Sequence, residues 1–270
     1  MSRLLFAVPL LSACSGMPMT NLEALEALDQ TLRSDSGIEV TADAVEVSTT
    51  FTLGAAVEAA ADELAAFWAS QAPCTTVAVA GPTVTIDYGT LGDSCSYNGR
   101  TYAGISEITV LSAANGAVDV GHAWTGLTDG AFQVDGTADV TWDGVALTRA
   151  VDTTHTWIDL STGETVEVTG AHVMGTLEGE GFFDGGITLD GDRQWVSDGN
   201  EWSLLFTGVE ARWIDPAPQA GALTVTAPNG KTLDIVFSRV DEATIRAELT
   251  GTRQPLAFEI TALGLVETVD

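Results

Sequence analysis

The 270-residue chain sets 38 acidic residues against 10 basic ones, a formal charge of −28 at pH 7. A field of that sign repels phosphate backbones and anionic headgroups, which excludes nucleic acid as a partner and holds the body of the protein off an anionic membrane face. The acids are not gathered into blocks; they alternate singly with apolar residues, as in Val45-Glu46-Val47 and Val166-Glu167-Val168, the pattern of solvated strand faces.

Residues 1–13 place one basic side chain, Arg3, ahead of an apolar run over residues 4–11. That order is the order of a secretory signal, and the run is too short to span a bilayer. It ends in Leu11-Ser12-Ala13-Cys14, which resembles a bacterial lipobox. The resemblance implies that residues 1–13 are removed, that Cys14 becomes a lipidated N-terminus, and that residues 14–20 form a tether to the bacterial cell envelope, at the outer membrane. One acyl chain binds a membrane only marginally. The diacylglyceryl thioether and N-acyl group of bacterial lipoproteins together meet the need for more than one. The membrane is therefore expected as a partner only through this lipid.

After the tether, residues 21–34 read as a helix, with Asn21 in the cap position and Leu22, Leu25, Leu28 and Leu32 on one face. Residues 38–40 and 44–53 alternate like strands. Residues 54–70 read as a second, Ala-rich helix whose stripe is Val57, Ala61, Leu64 and Phe67 or Trp68, ended by Pro73. If Cys14 carries lipid, Cys74 and Cys95 remain as an even pair in an oxidising compartment. They flank a hairpin of residues 75–80 and 83–88 around Gly81-Pro82, so a disulfide is expected. Closing a loop of this length stabilises by about 3 kcal/mol in the chain-entropy account.

From residue 75 onward short Val/Thr/Trp/Ile-rich runs are punctuated by Asn98-Gly99, Asn115-Gly116, Asp129-Gly130, Asp143-Gly144, Asp190-Gly191, Asp198-Gly199 and Asn229-Gly230. Such dipeptides are hairpin turn signals. The expectation is a mainly β protein: a large antiparallel meander of about 12 to 15 strands, built as a curved sheet, a sandwich or a partly open barrel, with two N-terminal helices. No linker divides it, so residues 21–270 read as one domain.

An internal echo repeats Asp119, His122, Trp124, Leu127 and Gly130 as Asp152, His155, Trp157, Leu160 and Gly163, 33 residues later. Within each copy the His and Trp sit at period two and share a sheet face. They serve either packing or a duplicated binding element. Seven tryptophans, at positions 68, 124, 142, 157, 195, 202 and 213, suit both a core and a concave apolar site. Trp68, Trp124, Trp157, His122 and His155 are the residues that would line such a site.

Catalytic signatures are weak. None of His122, His155 and His172 adjoins a serine in a strand-to-helix elbow, so no nucleophile assembly stands out. Paired-carboxylate hydrolysis needs a separation that sequence does not give. Asp190-Gly191-Asp192 and Asp198-Gly199-Asn200 lack the ligand ladder of a calcium loop, and no glycine-rich phosphate loop precedes a helix. No metal or cofactor is expected.

The stretch Thr83-Val84-Thr85-Ile86-Asp87-Tyr88-Gly89, followed by Cys95-Ser96-Tyr97-Asn98-Gly99-Arg100-Thr101-Tyr102-Ala103-Gly104, resembles a group of uncharacterised bacterial β-rich lipoproteins. In that group an Asp-Phe-Gly strand end leads to a cysteine, Gly-Arg-Thr and a new strand; here Tyr88 takes the place of the Phe. Residues 134–140 and 223–237 are similar to its later strands. The resemblance implies fold and turn chemistry and carries over no site residue. Function then reads first as a lipid-anchored, non-catalytic structural or interaction module of the envelope. The alternatives are an apolar-ligand carrier, with residues 54–70 as lid and tryptophans as lining, and an envelope hydrolase.

Overall fold

The computed structural model describes residues 17–52, 57–93, 95–97, 99–114, 116–177, 185–261 and 264–269. The residues read as a signal, 1–13, together with Cys14, Leu53, Asn98 and Asn115, lie outside the described residues. Two helices, α1 (Asn21–Thr52) and α2 (Val57–Gln71), precede fifteen strands. These are β1 (Thr76–Ala80), β2 (Thr83–Asp87), β3 (Cys95–Tyr97), β4 (Arg100–Ala114), β5 (Ala117–Thr128), β6 (Phe132–Asp143), β7 (Thr148–Asp159), β8 (Thr165–Thr176), β9 (Gly186–Ser197), β10 (Asn200–Arg212), β11 (Ala220–Thr226), β12 (Thr232–Asp241), β13 (Thr244–Thr250), β14 (Leu256–Thr261) and β15 (Val266–Val269).

Every sheet pairing is antiparallel, each strand beside its sequence neighbour, except that β2 pairs with β4 and β3 hangs from β4. The path runs from β1 to β15 without pairing its ends, so the meander is one open sheet. Laid flat it would be roughly 65 Å wide and 40 Å tall. Two helices could not cover such an area. Yet the inward side chains of β2 through β13 join α1 and α2 in one contiguous core. The sheet is therefore strongly coiled, with its inner face turned on itself and on the helices.

Two corners supply part of this coiling. Pairing slips between Trp124 and Leu127 on β5 and between Phe206 and Val209 on β10. Gly126 and Gly208 occupy the slips at φ +57° and +53°, a conformation that costs glycine least. Each donates its N–H to an outward aspartate on the next strand, Asp135 Oδ1 at 2.7 Å and Asp190 Oδ1 at 2.7 Å. Asp190-Gly191, expected as a turn, thus lies inside β9. Of the singled-out dipeptides that lie wholly among the described residues, only this one falls within a strand, because its aspartate pins a bulge rather than a hairpin.

Helix α1 departs from expectation in three ways. It continues to Thr52, so residues 38–40 and 44–52 are helical where alternation pointed to strands. Its cap is Thr20 rather than Asn21. The Thr20 hydroxyl accepts the Glu23 N–H at 3.3 Å while Glu23 Oε2 accepts the Thr20 N–H at 2.7 Å, a reciprocal capping box. Its buried stripe runs through Ala24, Ala27, Ser34, Val40 and Thr41, while Leu22, Leu25 and Leu32 stand 76, 63 and 70% exposed. Of the four leucines only Leu28 packs on the core. The cause is steric. The inner sheet face already projects tryptophans, and a helix can approach it closely only through small side chains. The seven-residue steps from Ala27 to Ser34 to Thr41 keep that small face turned inward along the helix.

Helix α2 buries Ala60, Ala61, Leu64 and Trp68, with Ala72 just past its end, close to the expected stripe. It packs against β1, β2 and β4. Trp68 meets Tyr88 edge-on at 5.9 Å and Tyr97 at 4.7 Å between ring centroids. The end of α2 is tied to β3 by the Cys74–Cys95 disulfide, with Cα atoms 5.3 Å apart.

Candidate functional site

On β5 to β7 the inward residues alternate with outward ones, so register places side chains from different strands in rows. One inner row reads Ser106, Trp124, Gly136, His155, Val168, Trp195 and Trp202 on successive strands from β4 to β10. The next row reads Leu127, Val134, Trp157, Val166 and Ser197. The inner face is thus an aromatic band set among valines. Trp195 and Trp202 stack at 6.3 Å with 9° between planes, and His122 stacks on Trp124 at 5.9 Å. Gly136 stands between Trp124 and His155 in this row. A Cβ there would come within 2.4 Å of the His155 Cα, because β6 and β7 close together at that point.

Four groups in this band are buried without a hydrogen-bond partner: Ser106 Oγ, Trp124 Nε1, His155 Nε2 and Trp157 Nε1. None of the four residues is more than 4% exposed. His155 spends its other nitrogen on the Thr153 hydroxyl at 3.0 Å. Burial pushes His155 down to about 4, helped by the positive charge of Arg193. Burial does the same to His122, with Arg149 assisting, and to His172, with Arg193 and Arg149 assisting against Asp152. All three imidazoles are neutral at pH 7.

Helix α1 lies over this band, packing on β4, β5, β6 and β7. Polar contacts hold it along its first half. Glu23 takes Lys231 at 2.6 and 2.8 Å and Asn229 at 3.3 Å. Gln30 Oε1 accepts the Trp195 indole N–H at 3.4 Å, Arg33 pairs with Glu164 at 2.7 Å, and Arg193 reaches Ser34 at 3.1 Å and pairs with Asp35. Glu23 is held at about 2, chiefly by its hydrogen bond to Lys231 and then by those to Thr20. Beside the helix N-terminus a cleft of about 200 Å³ opens between Glu23, Glu26, Asn200, Trp202, Ala227 and Asn229. It is below the volume of an ordinary ligand pocket. Its wall, Trp202, is the end of the aromatic row.

Of the residues expected to line a site, His122, Trp124, His155 and Trp157 come together on β5 and β7. Trp68 stands apart, in the aromatic cluster beneath α2. The two copies of the echo do not share a row: Trp124 lies level with His155, two residues out of step, and Leu127 is buried where Leu160 is exposed. The helix on this face is α1, whereas α2, expected as the lid, sits toward the β1 edge. Ser106, Gly136, Trp195 and Trp202 are additions. Trp195 and Trp202 flank Asp198-Gly199 at hairpin spacing and pair in register, so the turn signal could have joined them.

The outer face is acidic and hydroxyl-rich. Thr137, Thr154 and Thr169 lie side by side on β6, β7 and β8, next to Asp139 and Asp152, which are direct cross-strand neighbours. Among the described residues no group of three or more His, Cys, Asp or Glu side chains is placed to hold a metal ion. Comparison of the chain with protein-family models, curated proteins and solved structures gives no match.

Proposed function

We propose that the protein is a lipid-anchored, non-catalytic binding module of the bacterial envelope, whose coiled sheet carries an apolar ligand on its inner face, under α1. The observation that carries this reading is the set of four buried, unpartnered polar groups within the aromatic band. A helix serving only as a structural plug would be expected to satisfy them, since an unmet buried hydrogen-bonding group costs about 1–3 kcal/mol. The covering helix has the features of a removable element: a contact face of small residues, and attachment through ion pairs at its exposed edge. The rim cleft at Trp202 is the natural mouth.

The anchor rests on the Leu11-Ser12-Ala13-Cys14 sequence. It is supported by the exposed Met17 just ahead of α1 and Leu22, Leu25 and Leu32 in its first half, the part nearest the tether. An apolar strip beside a lipidated N-terminus is well placed to rest on an uncharged lipid surface. The test is extraction. The mature chain, purified from its native envelope and extracted with organic solvent, is expected to release a stoichiometric apolar compound. An empty extract, together with unchanged tryptophan emission on adding fatty acid, would remove the carrier and leave an anchored structural module.

A further inference from the structure

In this meander the turns β5–β6, β7–β8, β9–β10, β11–β12 and β13–β14 all lie at one end of the strands. The first half of α1 crosses that end from turn to turn. Met19, just ahead of the helix, donates its N–H to Gly251 at 2.7 Å and accepts that of Arg253 at 3.0 Å, on the β13–β14 connection. Glu23 pairs with Lys231 at 2.6 Å, on the β11–β12 turn. Glu26 shares a cleft with Asn200, at the β9–β10 turn, and Arg33 pairs with Glu164 at 2.7 Å, on the β7–β8 turn. Past the helix the same rim continues through Leu160, whose N–H bonds the Ala131 carbonyl at 2.9 Å on the β5–β6 turn. It reaches Leu91, whose Cδ2 lies 3.6 Å from where a Gly130 side chain would begin.

This rim turns apolar side chains outward. Leu22, Leu25 and Leu32 fall within about 80° of the helix circumference, opposite the buried Ala24, Ala27 and Ser34, and Met17, Leu91 and Leu160 are exposed as well. Three acids beside them are neutralised, Glu23 by Lys231, and Asp29 and Glu164 by Arg33. By contrast, β5 to β9 carry basic side chains only at Arg149 and Arg193, both facing inward. A lipid surface therefore meets less charge at the rim than at the acidic flank of the sheet. Exposed apolar residues stand at the far end too, Val145 and Ile214 among them, so exposure alone does not choose the occupant. Chain length does. Three residues carry the chain from Cys14 to Met17, and they span at most about 11 Å. A lipid on Cys14 holds the α1 rim close to its own membrane and leaves the far end about 40 Å away along the strands.

Resting on the lipid anchor proposed above, we infer that this rim is a membrane-contact surface. The first half of α1 lies along the bilayer that holds the anchor, Leu91 and Leu160 on the sheet turns meet the same lipid beside it, and the strands stand upright. An interfacial helix of this kind sits about 5–10 Å into the boundary between headgroups and acyl chains. On the carrier reading, the cleft at Trp202 then opens at the lipid surface, and an apolar ligand passes between bilayer and sheet without crossing water.

The experiment places the lipidated mature chain in dioleoylphosphatidylcholine vesicles, with the photoreactive p-benzoylphenylalanine replacing Leu25, Leu160 or Val145, one position at a time. All three side chains are exposed, so the replacements leave the core intact. On irradiation, positions 25 and 160 are expected to form covalent phospholipid adducts, read by mass, while position 145 at the far end forms little or none. Absence of adduct at position 25 or at position 160, in a chain whose mass includes the lipid, would overturn the rim contact and leave the anchor standing. Equal adduct at position 145 would overturn it too, since the chain would then have no fixed lipid-facing end. A mature chain whose mass shows no lipid would overturn the anchor, and this contact with it.

Discussion

Asp135 and Asp190 sit on the outer face of β6 and β9, and each accepts the N–H of a bulge glycine on the strand beside it. In a chain with 38 acids these two have a definite structural task, holding the corners at which the sheet coils. Replacing either with alanine is expected to cost about 1 kcal/mol, a lost hydrogen bond plus an unmet N–H, read as a lower urea midpoint; asparagine, which keeps an acceptor, should cost less. Neither role was legible beforehand, since sequence shows the Asp-Gly dipeptide but not the strand lying next to it. The inward histidines make a second prediction. An unfolded histidine binds a proton near 6.5, whereas the folded ones stay neutral until about 4. Between those values the unfolded chain holds more protons, so stability is complete above pH 6.5 and declines as pH falls toward 4. Each pH unit of that gap corresponds to about 1.4 kcal/mol per histidine. Urea unfolding at pH 7, 5.5 and 4 is expected to show the midpoint falling, with a shallower fall in His122→Phe. Equal midpoints at pH 7 and 5.5 would contradict buried, neutral imidazoles.

Helix α1 shows where periodicity was informative and where it misled. The helix itself was visible in residues 21–34, but the face chosen from leucine spacing is the solvent side. Hydrophobicity ranks Leu above Ala, while packing against a tryptophan-bearing sheet ranks by size. The consequence is testable as a contrast. Ala27→Leu, on the fully buried stripe, is expected to destabilise by about 1–3 kcal/mol through overpacking. Leu25→Ala, on the face a leucine stripe would have buried, should change stability by no more than about 0.5 kcal/mol. The edge contacts give α1 its own pH and salt response. The carboxylate of Glu23, held at about 2 against an ordinary 4.5, supports the helix fully above pH 4.5 and loses that support as pH falls toward 2. Amide protection factors over residues 21–35, taken relative to the intrinsic rate at each pH, are therefore expected to fall in acid, and also in high salt, which screens the exposed pairs. At the other helix, Cys74 and Cys95 were paired correctly from cysteine count and compartment. Reduction is expected to lower stability by about 3 kcal/mol, with α2 and β3 loosening first.

At the scale of the whole molecule, the antiparallel meander was legible because each hairpin announces itself locally. Asn-Gly and Asp-Gly turns separate alternating runs, and nothing in the chain breaks their succession. Its end strands are short, five residues in β1 and four in β15, which limits edge-to-edge association of an open sheet. The coiling of the sheet and the composition of its inner rows were not legible, because a row collects one residue from each of seven strands and depends on the register of every pairing. Thus His122, Trp124, His155 and Trp157 could be placed on a common face, while their alignment with Ser106, Gly136, Trp195 and Trp202 emerged only from the fold. The central claim is that an apolar ligand occupies this inner face. It is tested most directly by adding 9,10-dibromostearate to the Trp213→Phe variant, which removes the tryptophan that is 57% exposed and leaves the inward ones as reporters. Bromine quenches only at contact range. The account predicts saturable quenching of the buried tryptophans by the brominated acid, with aqueous iodide having little effect. Emission that is indifferent to the brominated acid would contradict it.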